Sequence, residues 1–237
     1  MRKTTLIACV AVATALSTST FAVTPASRDT GSINFADIGE DLSGWHLALF
    51  AGSATRHMDN DRNIDTEIDL TRYNVILGYN VTRWMTVYGL VGAMTEETGV
   101  YKKENDTQAI VGVGVWANLI ESDQLSRLSD VSSYRLTSGA EYSFANFDDF
   151  TWSQFDAFLT FELVNELHRT SFIMPETIGL FFGPVISYIL SDEYDSNDIF
   201  GITVGVNMTM TDDTYITVAG DFFSDDNAVY GMVGVRF

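Results

Sequence analysis

The chain has 237 residues, 46% hydrophobic and 13% aromatic, with a single cysteine and a net charge of −19. That charge repels a phosphate backbone, so no nucleic-acid partner is expected. One cysteine forms no intrachain disulfide and no thiolate metal site, and no stretch after residue 22 matches the ~20 apolar residues of a spanning helix.

Residues 1–22 read as a secretory signal peptide. Arg2 and Lys3 give the positive start, Leu6 opens an uncharged run, and Thr20-Phe21-Ala22 offers a small-x-small cleavage site. Cleavage there removes Cys9 and takes the net charge from −19 to −21. Leu6-Ile7-Ala8-Cys9 also spells a lipoprotein box, but a cut before Cys9 would leave an apolar run shorter than the ~7–15 residues a signal uses. Residues 23–43, with Pro25, Gly31 and Gly39, read as a periplasmic leader. Residues 44–237 then read as one β-rich domain.

The evidence for β-structure is period-2 alternation. In residues 200–210, Phe200, Ile202, Val204, Val206, Met208 and Met210 share one face, while Gly201, Thr203, Gly205, Asn207 and Thr209 share the other. Residues 178–190 alternate likewise, as do 72–79, 134–144 and 155–163, with weaker patterns at 45–56, 84–95, 107–119 and 214–223. Pro184 conflicts with its segment, because proline cannot donate to a ladder and a closed barrel has no edge for it; a bulge or kink at Gly183-Pro184 is expected. The connections at 80–83 and 211–213 are tight. Those at 57–67, 96–106 and 191–198 are longer and charged, as the outer loops of a membrane barrel are. The connections at 121–131 and 165–176 are long for turns, so eight and twelve strands stay open beside ten.

The last segment places Val229, Gly231, Val233, Val235 and Phe237 on one face and Tyr230, Met232, Gly234 and Arg236 on the other. With it the count reaches ten, and an even count returns both chain ends to one side of the membrane. The closing Val233, Val235 and Phe237 resemble the assembly signal of bacterial outer-membrane barrels. The pattern from signal to Phe237 resembles the broad group of small outer-membrane β-barrels that includes OmpA-like, OmpW-like and opacity-type proteins. That resemblance implies an all-β, antiparallel up-and-down barrel in the cell outer membrane of a Gram-negative bacterium. It implies a monomer, inserted by the outer-membrane assembly machinery and in contact with outer-membrane lipid and lipopolysaccharide. Its role would be structural or adhesive, or passage of small solutes. The alternatives are a soluble secreted β-sandwich binding module and a barrel-embedded hydrolase.

If the apolar faces meet lipid, the other faces line the interior. That set holds His46, Arg72, Arg135, Glu141, Asp156, Glu162, Asn207, Asp221 and Arg236. Opposite charges in a narrow interior read most simply as a satisfied polar network, with a thin conducting path or a binding site as alternatives. The only histidines are His46, His57 and His168, and no serine–histidine pairing of a hydrolase stands out, so no catalytic residues are assigned. His57 beside Asp59 and Asp61 reads as a solvated loop. Residues 59–70 echo a calcium loop in their oxygen spacing, but Ile64 takes the place of its glycine and Leu70 of its final glutamate. No metal site and no cofactor are expected.

Overall fold

In the computed structural model the described residues are 44–60, 65–82, 84–98, 106–124, 132–147, 151–167, 174–192, 194–196, 198–211 and 213–237. The expected signal, cleavage site and leader lie outside them, as do His168 and the middle of the calcium-like segment. The described residues form eleven strands. These are β1 Trp45–Asn60, β2 Asp65–Thr82, β3 Met85–Thr98, β4 Asp106–Gln124 and β5 Ser132–Asn146. Then come β6 Thr151–Glu166, β7 Thr177–Ser191, the short β8 Tyr194–Ser196, β9 Phe200–Thr211, β10 Thr214–Phe222 and β11 Asn227–Arg236.

Apart from β8, each strand pairs antiparallel with its neighbours, and β11 returns to pair with β1 from His46↔Arg236 to Thr55↔Asn227. The result is a closed ten-stranded up-and-down barrel. Closure leaves no open edge in the ring, whose backbone groups hydrocarbon could not satisfy. The end that carries Gly44 and Phe237 is here the terminal end, and the opposite one the far end.

Alternation decides which side chains point where. The apolar set of each strand faces outward and stays exposed: Leu49, Val75, Val91, Val113, Leu163, Leu180, Ile202 and Val233 among them. The other set is buried in the lumen. This overturns the sandwich alternative, whose apolar faces would meet between two sheets; here one sheet closes on its polar side. Exposed aromatic rings mark two levels. Trp45, Tyr79, Trp84 and Phe237 lie at the terminal end, and Tyr73, Phe144, Phe155, Tyr188, Phe200 and Phe222 lie farther up. At ~3.3 Å per residue and a tilt of ~40°, Tyr73 to Val81 on β2 covers about 20 Å along the axis, near the ~25 Å of a membrane barrel's apolar band. Trp152 and Tyr215, also aromatic and near strand ends, are instead fully buried in the lumen.

Three details differ from the sequence reading. Strands β1 to β7 are 14–19 residues long rather than about ten. Much of the extra length lies at the far end, where polar residues such as Thr55, Asp69, Thr95 and Thr107 hide the alternation of hydropathy. Second, β9, β10 and β11 stop short: the last β7–β9 pair is Ile186↔Phe200, while β7 runs on to Ser191. The gap is crossed by β8, within the segment read as a loop; it pairs with Met58–Asn60 of β1 and with Leu190 of β7. The ring is therefore ten-stranded in the band and eight-stranded at the far rim. Third, Pro184 sits inside β7 with its ring outward. The β6–β7 ladder breaks there, passing from Phe158↔Val185 to Phe161↔Phe182, while the β9 side keeps Pro184↔Ile202. Next to the break, the carbonyl of Phe158 accepts a bond from Ser138 Oγ at 3.0 Å.

Candidate functional site in the barrel interior

All nine inward polar residues named from the sequence are buried in the lumen. Contacts at three depths organise them. Near the terminal end, His46 Nε2 lies 2.8 Å from Asn80 Oδ1, which also accepts Thr86 Oγ1 at 2.5 Å. At a similar depth Glu162 lies 3.9 Å from Arg135 and accepts Asn207 Nδ2 at 2.8 Å, and Thr217 Oγ1 donates to Asn207 Oδ1 at 2.9 Å. Midway up, Arg72 Nη2 donates to Glu141 Oε1 at 2.5 Å and Tyr88 Oη to Glu141 Oε2 at 2.9 Å.

The third depth lies toward the far end and is built around Arg56. This guanidinium is 1% exposed, donates to Asp226 Oδ2 at 3.2 Å and to Ser187 Oγ at 2.7 Å, and stacks over the Phe223 ring at 4.5 Å. Gln154 Nε2 bridges Ser187 Oγ at 3.2 Å and Asp156 Oδ1 at 3.0 Å. Asp226 also accepts the backbone N–H of His57 at 2.7 Å, with His57 Nδ1 at 3.2 Å. His57 is thus a strand residue tied to the β10–β11 turn and not part of a solvated loop. Asp221 and Arg236 line β10 and β11; in the ladder they face Thr203 and His46 respectively.

Arg56, Asp226, Gln154 and Tyr88 are among the lumen residues the sequence reading did not name. Arg56 had a signal, since it continues the inward parity of Ala48, Phe50, Gly52 and Ala54. Asp226 had none: it lies in a turn, where alternation assigns no face.

Between these polar groups the lumen is filled by rings. Tyr88, Phe158, Phe181 and Tyr215 each lie over a glycine of a neighbouring strand: Gly114, Gly139, Gly205 and Gly234. A Cβ on Gly139 would come within 2.5 Å of the Phe158 ring, and one on Gly114 or Gly234 would fall inside the tyrosine. Tyr88 also packs against Trp116 with centroids 4.2 Å apart. Toward the far end, Met58, Ile68, Met94, Ile110, Trp152 and Ile189 belong to the buried apolar cluster. Large side chains opposite small ones are how a narrow barrel fills its core.

A closed antiparallel sheet with an apolar exterior, two aromatic girdles and a polar lumen is a transmembrane β-barrel, and its size places it with the small outer-membrane barrels. No protein-family model matches the chain, and no curated protein matches it in sequence. Among solved structures it is similar to the transport unit of the autotransporter AIDA-I from Escherichia coli, with 11% identity and a TM-score of 0.43 over 85% of this chain and 92% of that one. It is also similar to an outer-membrane channel from Pseudomonas putida F1, with 8% identity and a TM-score of 0.43 over 88% and 99% of the two chains.

Proposed function

We propose that this barrel is a closed anchor in the outer membrane: a non-conducting, non-catalytic scaffold that holds its far end, with the projecting parts of β1 to β7, outside the cell. The observation that carries this reading is the pair of contacts that cross the lumen, from Arg72 on β2 to Glu141 on β5 and from Arg56 on β1 to Ser187 on β7, with the buried rings of Tyr88, Phe158, Phe181 and Tyr215 packed along the wall beside them. The polar contacts around Arg72, Arg135 and Arg56 then act as an internal brace that pairs Glu141, Glu162 and Asp226 with opposite charges between the rings. Beyond the upper girdle the outward side chains turn acidic and hydroxylated, as with Glu67, Asp69 and Thr107, which suits a surface that meets the medium. In this reading the chain works as a monomer and its neighbours are membrane lipids and the assembly machinery.

The test is electrical. Purified protein reconstituted into planar bilayers should give no discrete conductance steps. Regular steps from the unmodified chain would replace the anchor reading with solute passage through the barrel.

A further inference from the structure

The charges inside the lumen do not balance. Among the described residues four arginines and five carboxylates are buried there, with His46 besides. Arg72 takes Glu141, Arg135 takes Glu162 and Arg56 takes Asp226. Asp156 and Asp221 are left over, and both are fully buried. Arg236 is out of reach of Asp221. The ladder partner of Asp221 is Ala228, eight residues up β11 from Arg236, or about 26 Å at ~3.3 Å per residue. Asp156 Oδ1 accepts Gln154 Nε2 at 3.0 Å, but its Oδ2 receives no hydrogen bond, and neither oxygen of Asp221 receives one. The charge of Arg56 reaches both, yet one guanidinium facing three carboxylates leaves two negative charges over.

A bare buried carboxylate carries a desolvation penalty larger than the net stability of a folded domain, so a positive group must be supplied. The surroundings of Asp221 indicate its kind. Thr203 on β9 is its ladder partner, and the hydroxyls of Thr203 and Tyr230 both act on its carboxyl. Those two hydroxyls stand 3.5 Å apart, longer than the ~2.7–2.8 Å of a good O–H···O bond. Two ligands of one hard cation, each ~2.3–2.6 Å from the metal and at right angles, stand about 3.4 Å apart. Asp221, Thr203 and Tyr230 thus offer oxygen only, from three adjacent strands, as a hard cation requires. A proton on Asp221 would cancel its charge and still leave both oxygens without a hydrogen-bond partner.

We infer that the lumen holds one divalent cation of the calcium class on Asp221, with the Thr203 and Tyr230 hydroxyls as further ligands and Asp156 as the second balancing charge. One such ion closes the count, two charges against two. No three carboxylate or imidazole side chains converge among the described residues, so the hydroxyls are needed to complete the site. Calcium, with its loose coordination, accepts such a set more readily than magnesium, which demands a near-ideal octahedron. The ion would tie the short strands β9 to β11 to each other from within. This inference needs the closed barrel and its lumen, and holds whether or not the barrel conducts.

The test starts from the full chain expressed in a Gram-negative host and purified from its outer membranes. It is unfolded in urea with EDTA, then refolded into phosphatidylcholine vesicles, free of lipopolysaccharide, with calcium chloride or with EDTA. After desalting, elemental mass spectrometry should find one calcium per unmodified chain and at least tenfold less in D221N and in Thr203→Val. The urea midpoint of the unmodified chain should be higher in calcium than in EDTA. D221N should show one midpoint in both, and in EDTA it should outlast the unmodified chain, because it removes a bare charge. Equal calcium on D221N and the unmodified chain would overturn the inference and place the ions on the acidic exterior. A midpoint that moves with pH but not with calcium would also overturn it, making a proton the counter-charge. If D221N gives no heat-sensitive band on an unboiled SDS gel, Thr203→Val and Tyr230→Phe, which keep the side-chain shape, carry the same two readings.

Discussion

Replacing Asp226 with alanine removes the carboxylate that faces Arg56 deep in the far end. The two side chains are 1% and 2% exposed, so solvent does little to screen the charge left behind. Losing one member of a buried ion pair costs roughly 3–5 kcal/mol, because the partner charge stays desolvated. Here Arg56 keeps Ser187 Oγ at 2.7 Å and the face of Phe223, which argues for the lower end. The backbone N–H of His57 also loses its 2.7 Å acceptor. We expect a loss of about 3 kcal/mol, or about two decades in the folding equilibrium at ~1.4 kcal/mol per tenfold. Urea unfolding in lipid vesicles, followed by tryptophan fluorescence, reads this directly. With a slope near 3 kcal/mol per molar, typical of the upper range, the midpoint should fall by about 1 M. The double variant Arg56→Met, Asp226→Leu should recover much of the loss, since an apolar pair of similar size is often as stable as a buried ion pair. A change below about 0.5 kcal/mol for Asp226→Ala, or no recovery in the double variant, would refute the clasp assigned to Arg56 and Asp226.

Gly234→Val places side-chain atoms inside the Tyr215 ring, so the unboiled band should weaken and the stability read by urea unfolding should drop by about 1–3 kcal/mol through overpacking; adding Tyr215→Ala should restore the band. Val91→Arg lies between the girdles and should cost about 2–4 kcal/mol in vesicle refolding, against about 0–1 for Thr95→Arg at the band's margin. Similar costs for the two would mean that the band is misplaced. Removing the largest ring of the mid-lumen pair, with Trp116→Ala added to Tyr88→Ala, should produce small, irregular conductance in planar bilayers where the unmodified chain gives none.

The strands were legible because lipid and lumen impose opposite polarity on alternating residues. Phe200–Met210 and Val229–Phe237 show this with hardly an exception, and both lie within the band. The rule fades where the environment outside the wall is water, as at Thr55–Asn60 of β1 and Thr95–Thr98 of β3, because polar residues then suit both faces. The three-residue β8 is invisible for a further reason. It exists only because β9 to β11 end early, which is a property of the ring and not of Tyr194–Ser196. Among the interior residues, parity was enough to name Arg72, Glu141 and Glu162 as lumen candidates. Their partners were not legible, since the contacts from Arg72 to Glu141 and from Asn207 to Glu162 link residues 69 and 45 positions apart. Asp226 needed the folded turn as well as the ring.

The central claim is that this chain crosses a membrane as a closed barrel, and gel mobility tests it most directly. The protein is expressed from its first residue, and carbonate-washed outer membranes are run boiled and unboiled on SDS gels. The account predicts a membrane-retained band whose mobility shifts on boiling, because the closed hydrogen-bond ring resists the detergent until heat opens it. Release into the carbonate wash, with one mobility under both conditions, would contradict it.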